Sequence, residues 1–211
     1  MKKIIITIDG PAASGKGRIA KYIAKKYNFF HIDSGLLYRK TAKLLINKKI
    51  DIKNKNQIKQ LLVKNKKLSL RNNNNLRNEQ IGKVTSFIAK MSLVRNYVNK
   101  QQILYAAQKT NKKGFVIDGR DIGSVVFKNA DLKLFIKVNP NERAKRRHKQ
   151  LIDLGEKSIY AEILKEIKLR DRQDIIRSNS PLVVPKGAHI INNSGSFSNT
   201  LKEINHLIGQ I

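Results

Sequence analysis

A run of β-branched residues, Ile4-Ile5-Ile6-Thr7-Ile8, breaks off at Asp9-Gly10 and is followed five residues later by Gly15-Lys16. Apolar residues then return at Ile19, Ala20, Ile23 and Ala24, the spacing of a helix face. A strand, a glycine-bounded loop and a lysine at a helix start make a phosphate cradle. The N-terminus of a helix exposes backbone N–H groups without intrahelical partners and carries partial positive charge, both suited to an anion. Gly10 and Gly15 let the loop turn its amides inward, and Lys16 adds a full charge at the outer phosphates. Pro11, Ala12, Ala13 and Ser14 complete the loop, with Gly17 and Arg18 after the lysine. The pattern implies a nucleotide triphosphate site. Position 17 is Gly where the common motif has Ser or Thr, so no hydroxyl is available there as a direct Mg²⁺ ligand; the ion is expected to be held through water and the triphosphate.

The strand–helix alternation continues. A helix is expected to about Tyr27, a strand over Phe29 to Ile32, then Asp33-Ser34-Gly35 and a helix to about Asn47. This predicts a parallel α/β sheet with helices on both faces, whose functional groups gather at the carboxyl ends of the strands. From about Ile50 to Lys113 the pattern turns helical: Ile58, Leu61 and Leu62, then Ile81, Val84, Ile88 and Met91, then Val94, Val98, Ile103 and Ala106. Leu68-Ser69-Leu70 reads as a strand remnant and Asn72 to Asn75 as a low-complexity loop. This stretch is expected to be an insert on the sheet that carries an acceptor site. The resulting division is a single domain over 1–211, with a core of 1–49 and 114–211 and an insert over about 50–113.

Gly114-Phe115-Val116-Ile117-Asp118-Gly119-Arg120-Asp121 is a buried strand with two acids and an arginine at its carboxyl end. Asp118 fits the acid that holds a Mg²⁺-bound water in phosphate-loop proteins. Leu132 to Val138 predicts another strand, and Pro140 opens a helix bearing Arg143, Arg146 and Arg147 on one side. Arg143 and Arg147 read as solvated partners of acids such as Glu142. After a polar break at Asp153 to Lys157, a helix places Arg170, Asp174 and Arg177 along one face. Ala188 to Asn192 predicts the last strand, and Leu201, Ile204 and Ile208 a closing amphipathic helix.

The chain has 211 residues and no cysteine, which excludes disulfides, thiolate metal sites and cysteine nucleophiles. Its N-terminal apolar stretch stops at Asp9, too short for a secretory signal, and no segment approaches the length of a membrane span, so a cytoplasmic location is expected. The formal net charge of +29 would suit nucleic acid, but the excess is Lys spread along the whole chain, without interleaved aromatics. It is read as compositional drift that confers weak nonspecific affinity for polyanions, with no specific nucleic acid partner. The arginines, by contrast, cluster in the motifs, and their fork geometry suits phosphate oxygens better than lysine does. The four histidines have no ligand or triad spacing, and Ser14 has no partner base.

Taken together, Asp9-Gly-Pro-Ala-Ala-Ser-Gly-Lys-Gly17, Asp33-Ser-Gly-Leu-Leu-Tyr-Arg39, Asp118-Gly-Arg-Asp-Ile-Gly123, Glu142-Arg-Ala-Lys-Arg-Arg147 and Arg170-Asp-Arg-Gln-Asp174 resemble the bacterial cytidylate kinase family, nearly end to end. The resemblance implies a three-layer phosphate-loop kinase fold on a five-stranded parallel sheet. It also implies phosphoryl transfer from ATP to CMP or dCMP with Mg²⁺. Nothing in the sequence marks an oligomer interface, so a monomer is expected. The resemblance assigns Ser34, Arg39, Ser86, Arg95, Arg120, Asp121, Arg170, Asp174 and Arg177 to the acceptor site and Arg146 to a mobile lid over the triphosphate. Lys16, Arg146, Arg120 and Arg177 would stabilise the transferring group. Two departures stand out: Arg18 replaces the family's usual Thr, so a charge-assisted contact from Arg18 to ATP is expected in place of the hydroxyl near the α-phosphate, and the insert is shorter than in longer bacterial members, with Leu68 to Asn75 in place of most of a small strand-built subdomain.

An acceptor phosphate is already anionic, so such a reaction needs positioning and charge neutralisation and no general base. Cytosine presents an exocyclic amine and acceptors at N3 and O2. Asp121 can accept from the amine, while Arg95 and Ser86 can satisfy the acceptor side. The alternative within the class is a kinase of UMP, AMP or another small acceptor; outside it, a basic nucleic-acid-associated protein of the same fold.

Overall fold

The structure is a computed structural model and describes residues 3–70, 76 and 78–211. Its elements are β1 (Ile4–Asp9), α1 (Lys16–Lys26), β2 (Phe29–Asp33), α2 (Ser34–Asn47), α3 (Lys55–Lys64), α4 (Glu79–Ile88), α5 (Ser92–Ala106) and β3 (Gly114–Asp118). A π-helical turn over Ile122–Val126 follows, then β4 (Leu132–Lys137), α6 (Pro140–Asp153), α7 (Tyr160–Ile176), β5 (His189–Asn192) and α8 (Phe197–Ile208). The described residues divide into two compact units, one within Met1–His31 and Lys112–Ile211, the other within Ile32–Asn111.

The first unit is built on a five-stranded parallel sheet in the order β2-β3-β1-β4-β5. β1 sits in the middle, with Ile8 opposite Asp118 of β3 and Asp9 opposite Phe135 of β4. Strand order reverses at β1, so the loop that leaves it opens at a topological switch point, where ligands of open α/β sheets bind. The β-branched run forms a strand because it can be buried in the sheet centre. Ile6 and Ile8 are fully enclosed with Val116, Leu134, Ile136 and Ile191, under Ile19, Ala20 and Ile23 of α1 and Ile204 and Ile208 of α8. Each such isoleucine contributes about 1.5–3 kcal/mol by leaving water. A smaller cluster of Ala144, Ile163 and Ile167 joins α6 to α7.

The second unit is helical. α2 buries Leu37, Ala42 and Leu45 and packs on α4 and α5. Its helices are started by side chains: Asp33 accepts from Leu36 N at 2.9 Å, Asn54 from Gln57 N at 3.1 Å and Asn78 from Ile81 N at 2.8 Å. Leu68-Ser69-Leu70 is not a strand. Side chains of α5 satisfy its backbone neighbourhood: Gln101 accepts from Leu68 N and donates to Lys66 O, both at 2.9 Å, and the Tyr105 hydroxyl donates to Leu68 O. A segment served in this way needs no strand partner. The Asn72 to Asn75 loop expectation lies outside the described residues.

Candidate active site

The loop after β1 is held open by ties to the sheet and to α6. Gly10 has φ +148°, and a Cβ there would lie 2.5 Å from the Ile136 carbonyl oxygen. Gly15, with φ +88°, would bring a Cβ 2.6 Å from Asn193 Nδ2, which itself donates to Ser14 O at 2.9 Å. No other residue type fits both the conformation and the space. Lys16 is buried at the first turn of α1; its ammonium donates to Pro11 O at 2.8 Å and lies 3.5 Å from Ser14 Oγ. Burial pushes Lys16 well below the ordinary lysine value, and the positive charge of Arg120 pushes further the same way, against Asp118, Asp9 and Asp174. A phosphate would relieve the charge that burial penalises.

Asp9 does not face a ligand directly. It accepts from Ile122 N at 2.8 Å and Gly123 N at 2.7 Å and so pins the π-helical turn after β3. Burial raises its carboxyl to about 6, against those two hydrogen bonds, which lower it. Sequence reading gave no hint of this turn.

Asp118, at the end of β3, is buried, and its Oδ1 lies 2.7 Å from His31 Nε2. Its Oδ2 lies on the side of α1, 3.8 Å from where a Cβ of Gly17 would sit. The histidine was overlooked because its partner lies on the neighbouring strand, not at a sequence interval. Among the described residues no three or more His, Asp or Glu side chains could together hold a metal. One carboxylate beside a phosphate loop with glycine at position 17 is a donor set that fits Mg²⁺ held mostly by water and phosphate oxygens.

Arg120 donates from Nε to Asp174 Oδ2 at 2.9 Å. Asp174 also takes Arg177 Nη1 at 3.3 Å, and Arg177 Nη2 lies 3.8 Å from Asp121 Oδ1. Four of the expected residues thus meet at the carboxyl end of β3. Arg177 is not on the helix face expected for it: α7 ends at Ile176, and Arg177 is extended, with Nε donating to Ser180 O at 2.6 Å. Arg170 is an exposed residue on α7. Arg146 donates from Nη2 toward Ser194 O and Gly195 O at 3.3 and 3.5 Å, at the loop before α8. Arg18 stacks its guanidinium 3.8 Å from the ring centroid of Phe197.

Arg143 departs furthest from its expected surroundings. It is 2% exposed, not solvated, and Glu142 pairs with Lys145 at 3.2 Å instead. Its guanidinium bonds Ala12 O in the phosphate loop, Val138 O and the Asp171 carboxylate.

In the second unit, Ser34 is buried as the first residue of α2, whose cap is Asp33. Arg39 folds back to the same turn, with Nη1 3.8 Å from where a Gly35 Cβ would be. Arg95 is buried on α5, donates to Ala89 O at 3.0 Å and lies 5.9 Å from the Tyr38 ring centroid. Ser86 is exposed on α4.

Among solved structures, TT1252 from Thermus thermophilus superposes with a TM-score of 0.58 at 15% identity, covering 100% of this chain and 99% of that one. A shikimate kinase from Bacteroides thetaiotaomicron does so with a TM-score of 0.52 at 12% identity, covering 98% of each. The likeness is one of fold: a five-stranded parallel sheet with a phosphate-type loop leaving its central strand. At the sequence level, the family model described as cytidylate kinase matches residues 6–210. A cytidylate kinase of Rickettsia canadensis is 44% identical over 202 residues, 95% of this chain and 90% of the relative. One of Rhizobium meliloti is 38% identical over 190 residues, 90% and 88%. The chain belongs to the cytidylate kinase family.

Proposed function

We propose that the chain transfers the γ-phosphoryl group of ATP to CMP or dCMP, giving CDP or dCDP. The observation that carries this beyond family membership is the Arg120–Asp174–Arg177–Asp121 cluster, of which Arg120 and Asp174 act electrostatically on Lys16. Acids hold the guanidinium groups in place before substrate arrives, and incoming phosphate oxygens would take over those forks. The amides of the phosphate loop and Lys16 would bind the donor phosphates. Arg120, Arg177 and, on closure of a lid over about 148–160, Arg146 would neutralise charge on the group in flight. Gly10 to Gly17 form the ATP loop, and Arg18, stacked on Phe197, borders it. Mg²⁺ would supply charge neutralisation between the phosphates, with Asp118 holding a water of its shell.

Asp121 would accept from the cytosine amine, and Ser86 and Arg95 would serve N3 and O2. Ser34, Arg39, Arg170 and Asp174 complete the acceptor set. Uracil would leave the Asp121 carboxylate facing a carbonyl, a mispairing that can discriminate by about 10⁴-fold in a well-built polar site. A cytoplasmic monomer belongs to this proposal. Among the described residues no helix is long and apolar enough to cross a membrane. The test is coupled nucleoside-diphosphate formation with ATP and Mg²⁺, offering CMP, dCMP, UMP and AMP separately. Turnover confined to CMP and dCMP is expected; preference for UMP or AMP would overturn the acceptor assignment.

A further inference from the structure

Arg143 lies in the first turn of α6, and its side chain joins three segments of the first unit. Nε donates to Val138 O at 3.2 Å, where β4 gives way to α6. Nη1 donates to Ala12 O at 3.0 Å and to Asp171 Oδ1 at 2.9 Å, and Nη2 donates to Asp171 Oδ2. A planar guanidinium with several donors engaged at once leaves its partners little freedom. The consequence for the loop follows from peptide geometry. In a trans peptide the C=O of one residue and the N–H of the next point opposite ways. Holding the Ala12 carbonyl therefore fixes the direction of the Ala13 N–H, one of the loop's candidate phosphate donors, at a residue that is itself in a left-handed conformation with φ +56°. The consequence for α7 follows from sequence position. Asp171 lies directly after Arg170 and three residues before Asp174, which orients both Arg120 and Arg177.

We propose that Arg143 and Asp171 are positioning residues, a strut that couples the donor-phosphate loop to the acceptor-phosphate arginines. Neither touches substrate. Ordering the loop around ATP stiffens α7 through the strut, so CMP meets arginines whose acid partner Asp174 moves less, and the reverse holds equally. The inference rests on the phosphotransferase reading above.

The test measures binding of a non-hydrolysable ATP analogue by calorimetry, with and without saturating CMP, in wild type, Arg143→Lys and Asp171→Asn, each checked by thermal melting. Arg143→Lys keeps the charge and loses the fork; Asp171→Asn keeps the shape and weakens the pair. Wild type is expected to bind ATP at least about 5-fold more tightly when CMP is present, within the usual range of such couplings. Both variants should fold, bind ATP about 10-fold more weakly and lose that enhancement. Folded variants that keep the enhancement overturn the strut, as does a wild type that phosphorylates CMP but shows no enhancement. If both variants fail to fold, the pair serves stability alone and the proposal falls. A wild type that neither binds nor phosphorylates CMP refutes the acceptor reading separately; weakened ATP binding by Asp171→Asn would still support the loop half.

Discussion

The phosphate loop and the helical unit of Ile32–Asn111 reach order by different routes. The loop is a backbone device: strained glycines, carbonyls tied from outside by Asn193 and Arg143, and a central strand behind it. The helical unit is a side-chain device. Asp33, Asn54 and Asn78 start its helices, and Gln101, Tyr97 and Tyr105 reach from α5 to backbone carbonyls at residues 65–68. A backbone site tolerates few residues at fixed intervals, so it leaves a motif. A side-chain site can be assembled from many intervals, so it leaves little.

The sharpest way to break this comparison is at Lys16. Lys16→Ala should lower kcat/KM by about 10³-fold, the scale of losing one pre-placed donor to a transition-state oxygen. The melting temperature should hold or rise, because burial already disfavours this ammonium. A clear fall in stability would mean that Lys16 is a brace of the empty loop. On the side-chain route, Asp121→Asn should shift the UMP/CMP ratio of kcat/KM toward UMP by about 10²-fold, since an amide can donate where uracil carries oxygen. An unchanged ratio would remove Asp121 from base reading.

Asp9 gives a pH test of how the loop end is anchored. Its folded carboxyl is raised to about 6 from 3.8, so the folded state holds the proton more tightly than the unfolded one. Its contribution is therefore fully present below pH 4 and is lost as pH rises toward 6, by an amount on the order of 3 kcal/mol. Wild type should lose stability relative to Asp9→Asn across that window, and melting curves at pH 4, 5, 6 and 7 read the difference. A parallel pair of profiles would show that the two backbone hydrogen bonds to Asp9 cancel its burial.

Two glycines set the routes side by side. Gly15→Ala should destabilise by about 1–3 kcal/mol, from left-handed backbone and the approach to Asn193. Gly82, in α4, has nothing within 4 Å of an added Cβ, so Gly82→Ala should stabilise by about 0.5–1 kcal/mol. Chemical denaturation resolves the opposite signs.

The same contrast explains what could be read from the chain. The β1–loop–α1 path, the five strands of the sheet and the helices between Lys55 and Ala106 were legible because period and glycine spacing are local signals. Arg177 was misplaced because four-and-three spacing continues past the point where the chain leaves the helix. His31 and Arg143 were missed because their partners are set by neighbouring strands and by the α6–α7 pairing, which no interval in the sequence encodes. Glu142, one residue away, offered Arg143 a nearer acid, and only burial decides between the two.

Arg18 is where the two routes meet, since a side chain has entered the backbone device. Its guanidinium lies over Phe197, so it ties α1 to α8 beside the loop. An exposed contact of this kind contributes about 0.5–1 kcal/mol, which for a chain of this length is a melting shift of roughly 1–4 °C. Arg18→Thr restores the residue expected from the family pattern and should cost that much stability while changing KM for ATP by less than about threefold, well below the roughly tenfold that one lost charge-assisted phosphate contact would bring. A tenfold rise in KM with no change in melting would mean that the guanidinium leaves the ring for the triphosphate, and that this loop has recruited a side chain as a phosphate donor. The smallest effect in the series thus tests whether the loop binds through its backbone and Lys16 alone.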